Sequence, residues 1–119
     1  MTKIAINQCH GGFSLSREAV LLARKLSNNP RWGGIVLKGE AYPDGTYSTI
    51  DFGAHHVNES LVPRTDPILI RVIEDLGKAA NGRYAELAIA MLPEGTRYRI
   101  DEYDGYESLI TSENLTQMA

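Results

Sequence analysis

Apolar and polar positions change period along the chain, and the changes mark its elements. From Lys3 to Cys9 the pattern alternates, with Ile4 and Ile6 set against polar neighbours, and predicts a strand. His10-Gly11-Gly12-Phe13-Ser14-Leu15 is a turn, after which Ser16 serves as N-cap and Glu18 suits the first turn of a helix. That helix runs from about Arg17 to Ser27, with Ala19, Leu22, Ala23 and Leu26 on one stripe, and Asn28-Asn29-Pro30 stops it. Ile35 to Lys38 predicts a short strand reaching toward Tyr42, Pro43-Asp44-Gly45 a tight turn, and Tyr47 to Phe52 a second strand. Gly53 to Thr65 reads as a polar loop. Asp66-Pro67 opens a second helix, with Leu69, Val72, Ile73, Leu76 and Ala80 inward and Asn81-Gly82 as its stop. Strands follow at Ala85 to Leu92, Thr96 to Tyr103 and Tyr106 to Ile110, the last two joined at Asp104-Gly105, a two-residue hairpin signal.

The resulting order is β-α-β-β-α-β-β with a further last strand. It predicts an α+β fold, a ferredoxin-like or related two-layer sandwich with a C-terminal hairpin. Shifting the sequence by 50 places Pro43-Asp44-Gly45-Thr46 on Pro93-Glu94-Gly95-Thr96, Ser16 on Asp66, and one helix stripe on the other. That register is read either as two α-β-β units or as coincidence, with the same element order in both cases. A length of 119 residues fits one domain, 1–119, whose tail from about 111 frays or covers a neighbouring chain. The exposed edges of the hairpin make a homo-oligomer the expected state.

Composition narrows the function classes. No apolar run approaches the ~20 residues that cross a bilayer, and the start lacks a signal-peptide core. One cysteine, Cys9, makes no intrachain disulfide, which fits a cytoplasmic setting. The net charge of −3 disfavours generic nucleic-acid binding. The charge is also uneven. Residues 1–85 carry ten basic and eight acidic side chains, whereas residues 86–119 carry Arg97, Arg99 and seven acidic ones. The acidic end is either a solvated edge or a surface for a basic partner.

The strand–Gly-Gly–helix junction is the leading candidate site. Amides of Gly11, Gly12 and Phe13, the hydroxyls of Ser14 and Ser16, Arg17 and the helix start can converge on an anion, with Phe13 against a base. The spacing is that of neither a P-loop nor a dinucleotide fingerprint, and the competing reading is a tight turn with Phe13 in the core. Arg64, beside the Asp66 cap, marks a second anion pocket or a surface arginine. Cys9-His10 stand at a strand end, but strand neighbours point to opposite faces, so a buried thiol is favoured over a nucleophile. His55-His56 lack metal-ligand spacing and read as a solvated loop, and no metal or cofactor is expected. Asp51-Phe52-Gly53 spells a kinase triplet without the rest of a kinase. Glu102-Tyr103-Asp104-Gly105-Tyr106-Glu107 places carboxylates and aromatics around the hairpin, for acid–base work or as plain turn chemistry with a Tyr103–Tyr106 cross-strand pair.

The stretch Ile6-Asn7-Gln8-Cys9-His10-Gly11-Gly12-Phe13-Ser14-Leu15-Ser16 resembles the opening of a family of small phage- and prophage-encoded proteins. Asp66-Pro67, Glu74-Asp75-Leu76-Gly77, Ala80-Asn81-Gly82 and Ile100 to Glu107 are similar to it as well. The resemblance carries over no catalytic residue. It implies a phage accessory protein, with host takeover or counter-defence as the expected setting. With that setting, the expected function is sequestration of a small anionic, nucleotide-like immune signal, held by the residues read above at the junction and second helix: Gly11, Gly12, Phe13, Ser14, Ser16, Arg17 and Arg64. The alternatives are a small hydrolase or transferase on such a ligand, and a protein–protein inhibitor using the acidic hairpin.

Overall fold

The computed structural model describes residues 1–48 and 55–111. Four strands and two helices appear there: β1 (Thr2–Asn7), α1 (Arg17–Ser27), α2 (Pro67–Leu76), β2 (Leu87–Leu92), β3 (Tyr98–Tyr103) and β4 (Tyr106–Thr111). Short 3-10 turns cover Trp32–Gly34 and Gly77–Ala80. The fold is α+β, with two antiparallel two-stranded sheets, β1–β2 and β3–β4.

Local chemistry sets both helices. The Ser16 hydroxyl accepts the Ala19 amide at 3.1 Å, and Asn28 closes α1 in the left-handed conformation, φ 55°. Asp66 caps α2 by accepting the Ile68 and Leu69 amides at 2.9 and 3.1 Å, with Pro67 in the first turn. α2 stops earlier than its apolar stripe predicts. Gly77 leaves the helix at φ 56°, ψ −127°, and the chain continues as a 3-10 turn that still buries Ala80. The inward faces of α1 and α2 share one core with Ala5, Phe13, Leu15, Trp32, Ile35, Leu37 and Val62. α2 packs on β1 and β2, and β4 packs on β1.

The two strands expected between the helices differ most from the structure. Ile35–Tyr42 forms no strand; one isolated bridge, Ala41 to Tyr47, flanks the Pro43-Asp44-Gly45 turn. Backbone bonds close the turn itself, Gly39 N to Ser48 O, Ser48 N to Glu40 O and Tyr42 N to Thr46 O, and side chains anchor the residues before it. Arg24 on α1 grips Glu40 through two bonds of 2.6 and 2.7 Å and also donates to Ile35 O, while Glu40 accepts the Leu37 amide at 2.7 Å. Ile35 and Leu37 are thereby pinned into the core by the arm's own carboxylate. Residues 49–54, the rest of the second expected strand and the Asp51-Phe52-Gly53 triplet, lie outside the described residues, as does the tail beyond 111. The described order is therefore β-α-α-β-β-β, and the single sheet of a ferredoxin-like sandwich is not formed among these residues. The shifted Pro-x-Gly turns do correspond, with Gly45 at φ 90° and Gly95 at φ 80°, but their flanking arms do not.

β1 is buried on both faces, which simple alternation does not predict. Ala5 faces the helices, and Ile4 and Ile6 are buried too. Its second edge is closed without a strand: the Ala5 amide donates to Arg64 O at 2.8 Å, and the Asn7 amide to Glu107 Oε1 at 2.9 Å.

Candidate functional site

The Gly-Gly junction lies in a crowded node. A Cβ at Gly11 would stand 1.6 Å from Tyr84 O, so only glycine lets the β2 lead-in approach here. From the other side Gly105, φ 87°, brings the hairpin turn so close that its Cβ would sit 2.6 Å from Gly12 N and His10 O. Asp104 at φ 50° and Gly105 together have the positive φ values of a two-residue hairpin turn, as the sequence predicts.

Several of the proposed anion ligands are buried or engaged elsewhere. Ser14 is buried against Gly82, and its hydroxyl has no hydrogen-bond partner among the described residues. Ser16 Oγ donates to Ala79 O at 2.5 Å while capping α1. Phe13 is in the core, and the Arg64 guanidinium covers its ring at 3.7 Å. Arg64 is buried rather than superficial. It forms a two-pronged pair with Glu107, 2.5 and 2.9 Å, and also meets Glu59 at 2.8 Å and Ala5 O at 3.3 Å. An internal carboxylate thus occupies the place a phosphate would take. Arg17 is exposed at the start of α1, and the amides of Gly11, Gly12 and Phe13 make no hydrogen bond among the described residues.

Asn7, which the alternation of β1 assigns to solvent, is the hub of this node. It is fully buried, donates to Cys9 O at 2.7 Å and Gly105 O at 2.8 Å, and accepts the Glu86 amide at 2.8 Å. One amide side chain thus ties the end of β1 to the β2 lead-in and the hairpin turn. No sequence signal marks it, because the alternation puts Ile4 and Ile6 inward and Ala5 and Asn7 outward.

Cys9 and His10 turn to different neighbours. Cys9 Sγ donates to Tyr84 O at 2.9 Å, whereas His10 Nδ1 lies 3.3 Å from Asp104 O and its ring packs on Tyr103 and Tyr106. Tyr103 and Tyr106 are cross-strand partners. The histidine pair is solvated at only one of its two members: His55 is buried and bridges to Leu15, whereas His56 is exposed, with Nδ1 2.8 Å from Phe13 O. No group of three His, Cys, Asp or Glu side chains among the described residues is arranged to hold a metal. No helix among them is long and apolar enough to cross a membrane.

Sequence reasoning missed a groove beside the first 3-10 turn. Arg31, Gly34, Val36, Ala41, Tyr42 and Pro43 line a cavity of about 270 Å³. A second cavity, about 310 Å³, shares Gly34, Val36, Tyr42 and Pro43 with it and ends at His55 and His56. Gly33 and Gly34, both at positive φ, turn the chain to make this groove. The groove has an apolar floor, one aromatic ring and one loosely held cation. Arg31 approaches Glu40 only to 3.8 Å, because Arg24 already holds that carboxylate, and its side chain remains 46% exposed. The Arg24 guanidinium, with help from the Leu37 amide, lowers the Glu40 pKa to about 2.

Comparison with protein-family models, curated proteins and solved structures found no match to this chain.

Proposed function

We propose that the chain is a non-enzymatic binding protein that holds a small anionic, nucleotide-like ligand in the groove beside the first 3-10 turn. The observation that carries this reading is the placement of Arg31 and Tyr42 on one apolar cavity wall. Such pockets combine a greasy floor with a few polar groups that orient the ligand. Here Tyr42 offers a face to a base, and Arg31, with little to lose from Glu40, offers a two-pronged donor to a phosphate. This moves the site from the Gly-Gly junction, where Ser14 is buried and Ser16 and Arg64 are engaged, to its neighbour across His56. The resemblance to small phage-encoded proteins supports sequestration of a nucleotide immune signal as the biological role.

The test is calorimetric titration and thermal melting with a panel of linear and cyclic nucleotides. Any bound compound is then released by heat and identified by mass spectrometry. Arg31→Ala should weaken binding about 10- to 100-fold, the usual worth of a hydrogen-bonded charge contact. Tyr42→Ala should weaken it too, with Arg17→Ala nearly silent. Loss of affinity in Arg17→Ala alone would return the ligand to the start of α1. A ligand released chemically altered would replace sequestration with catalysis and bring Cys9 and His10 forward. No stabilisation by any compound would favour a protein partner for the acidic hairpin, where Tyr98, Tyr103 and Tyr106 stand exposed among carboxylates.

A further inference from the structure

β2 is the outer strand of its sheet, and its six residues, Leu87-Ala88-Ile89-Ala90-Met91-Leu92, carry no charge and no proline. Strand edges are ordinarily protected by charge, proline, a bulge or a covering segment. β3 follows that rule with Arg99, Asp101 and Glu102; β2 does not.

The ladder fixes which groups face outward. Ile4 pairs with Ala90 and Ile6 with Ala88, and the Gln8 amide bonds Glu86 O, so the even-numbered residues of β2 bond to β1. The amides and carbonyls of Leu87, Ile89 and Met91 therefore point away from β1. Asn81 Oδ1 takes the Leu87 amide at 3.0 Å. The Ile89 and Met91 amides make no hydrogen bond on that side among the described residues, and the Met91 side chain is 57% exposed.

We propose that this edge is a dimer interface, and that its occupant is β2 of a second copy of the chain, paired antiparallel about a twofold axis at Ala90. In that register Ile89 stands opposite Met91 of the second copy, and Met91 opposite its Ile89. The four unpaired amides and their carbonyls form four hydrogen bonds. Leu87 falls opposite Pro93 of the second copy, and no donor is stranded there: one amide is already bonded to Asn81 and the other residue has none. Ala90 meets Ala90 in a non-hydrogen-bonded pair, where side chains come closest and a methyl group fits best. Met91 is covered by Ile89 of the second copy. The product is a four-stranded antiparallel sheet, β1-β2-β2-β1, self-complementary as a twofold contact requires. This inference is independent of the groove and its ligand.

Light scattering on the full chain at micromolar concentration tests it, with Met91→Lys and Met91→Pro as variants. The proline removes an amide that does not face β1, so the β1–β2 ladder is spared. The wild type should weigh twice 13.1 kDa and both variants 13.1 kDa, with unchanged circular dichroism. Hydrogen exchange supplies a readout that needs no substitution. In the wild type the Ile89 and Met91 amides should be as protected as those of Ala88 and Ala90. A wild-type mass of 13.1 kDa overturns the proposal, whatever other protein then fills the edge. A dimer that persists in both folded variants overturns it as well. If the variants unfold, fast exchange at Ile89 and Met91 beside slow exchange at Ala88 and Ala90 is the overturning result.

Discussion

Arg64 shows how much a single side chain's surroundings decide. In the sequence it is a cation beside a helix cap; in the fold its guanidinium is clamped by Glu107 and Glu59 and stacked on Phe13. Removing one member of a buried pair strands the other charge, so Glu107→Ala should cost ~3–5 kcal/mol of stability in urea unfolding. The double replacement Arg64→Met, Glu107→Leu should recover most of that loss, since an apolar pair leaves no charge unanswered. A double variant as weak as Glu107→Ala would mean that Glu107 acts through the Asn7 amide instead. Neither the Arg64–Glu107 pair nor Asn7 was legible beforehand, because their partners lie far away in the sequence. The caps at Ser16 and Asp66 and the Asp104-Gly105 turn were legible, because every partner lies within a few residues.

At the scale of elements, the 35–48 arm shows where periodicity misleads. Its apolar residues do reach the core, as a strand's would, but backbone pairing is confined to the 39–48 turn, and before it the Leu37 amide is satisfied by Glu40. The Arg24–Glu40 clamp does for the arm what strand pairing does elsewhere. Its pH dependence follows from the sign of the shift. Glu40 titrates lower folded, about 2, than its ordinary 4.5, so the clamp's full contribution is present above about pH 4.5. It is lost as the pH falls through the window down to about 2. Glu40→Gln should therefore be less stable than wild type at pH 6, with the difference shrinking toward pH 2 in parallel urea titrations. A difference independent of pH would assign the effect to packing. The groove at Arg31 and Tyr42 stayed hidden for the same reason: half of its lining, Val36, Ala41 and Tyr42, comes from the part of this arm that the sequence reads as a strand.

Across the whole molecule, the hairpin β3–β4 is the least embedded element, with most of β3 exposed. Two-stranded sheets are marginal alone, so the hairpin depends on its attachment to β1. The polar part of that attachment runs through Glu107, Asn7 and the His10–Asp104 contact. In Glu107→Ala, the amides of Asp101 and Ser108, a hydrogen-bonded pair of the hairpin ladder, should exchange far faster than those of Val20 and Ala23 in α1, instead of at rates set by one global opening. Uniform acceleration across both regions would show that hairpin and core unfold together.

The closure of β1 also sets an order of events. One edge waits for residues 87–92, and the other for Arg64 and Glu107. β1 thus leaves the ribosome well before the residues that complete it, and contacts spanning such separations carry a large loop-closure cost. The Ala5 amide stays unsatisfied until Arg64 has emerged, and the Asn7 amide until Glu107 has. An unpaired edge of this kind is what makes a partly made chain prone to aggregate.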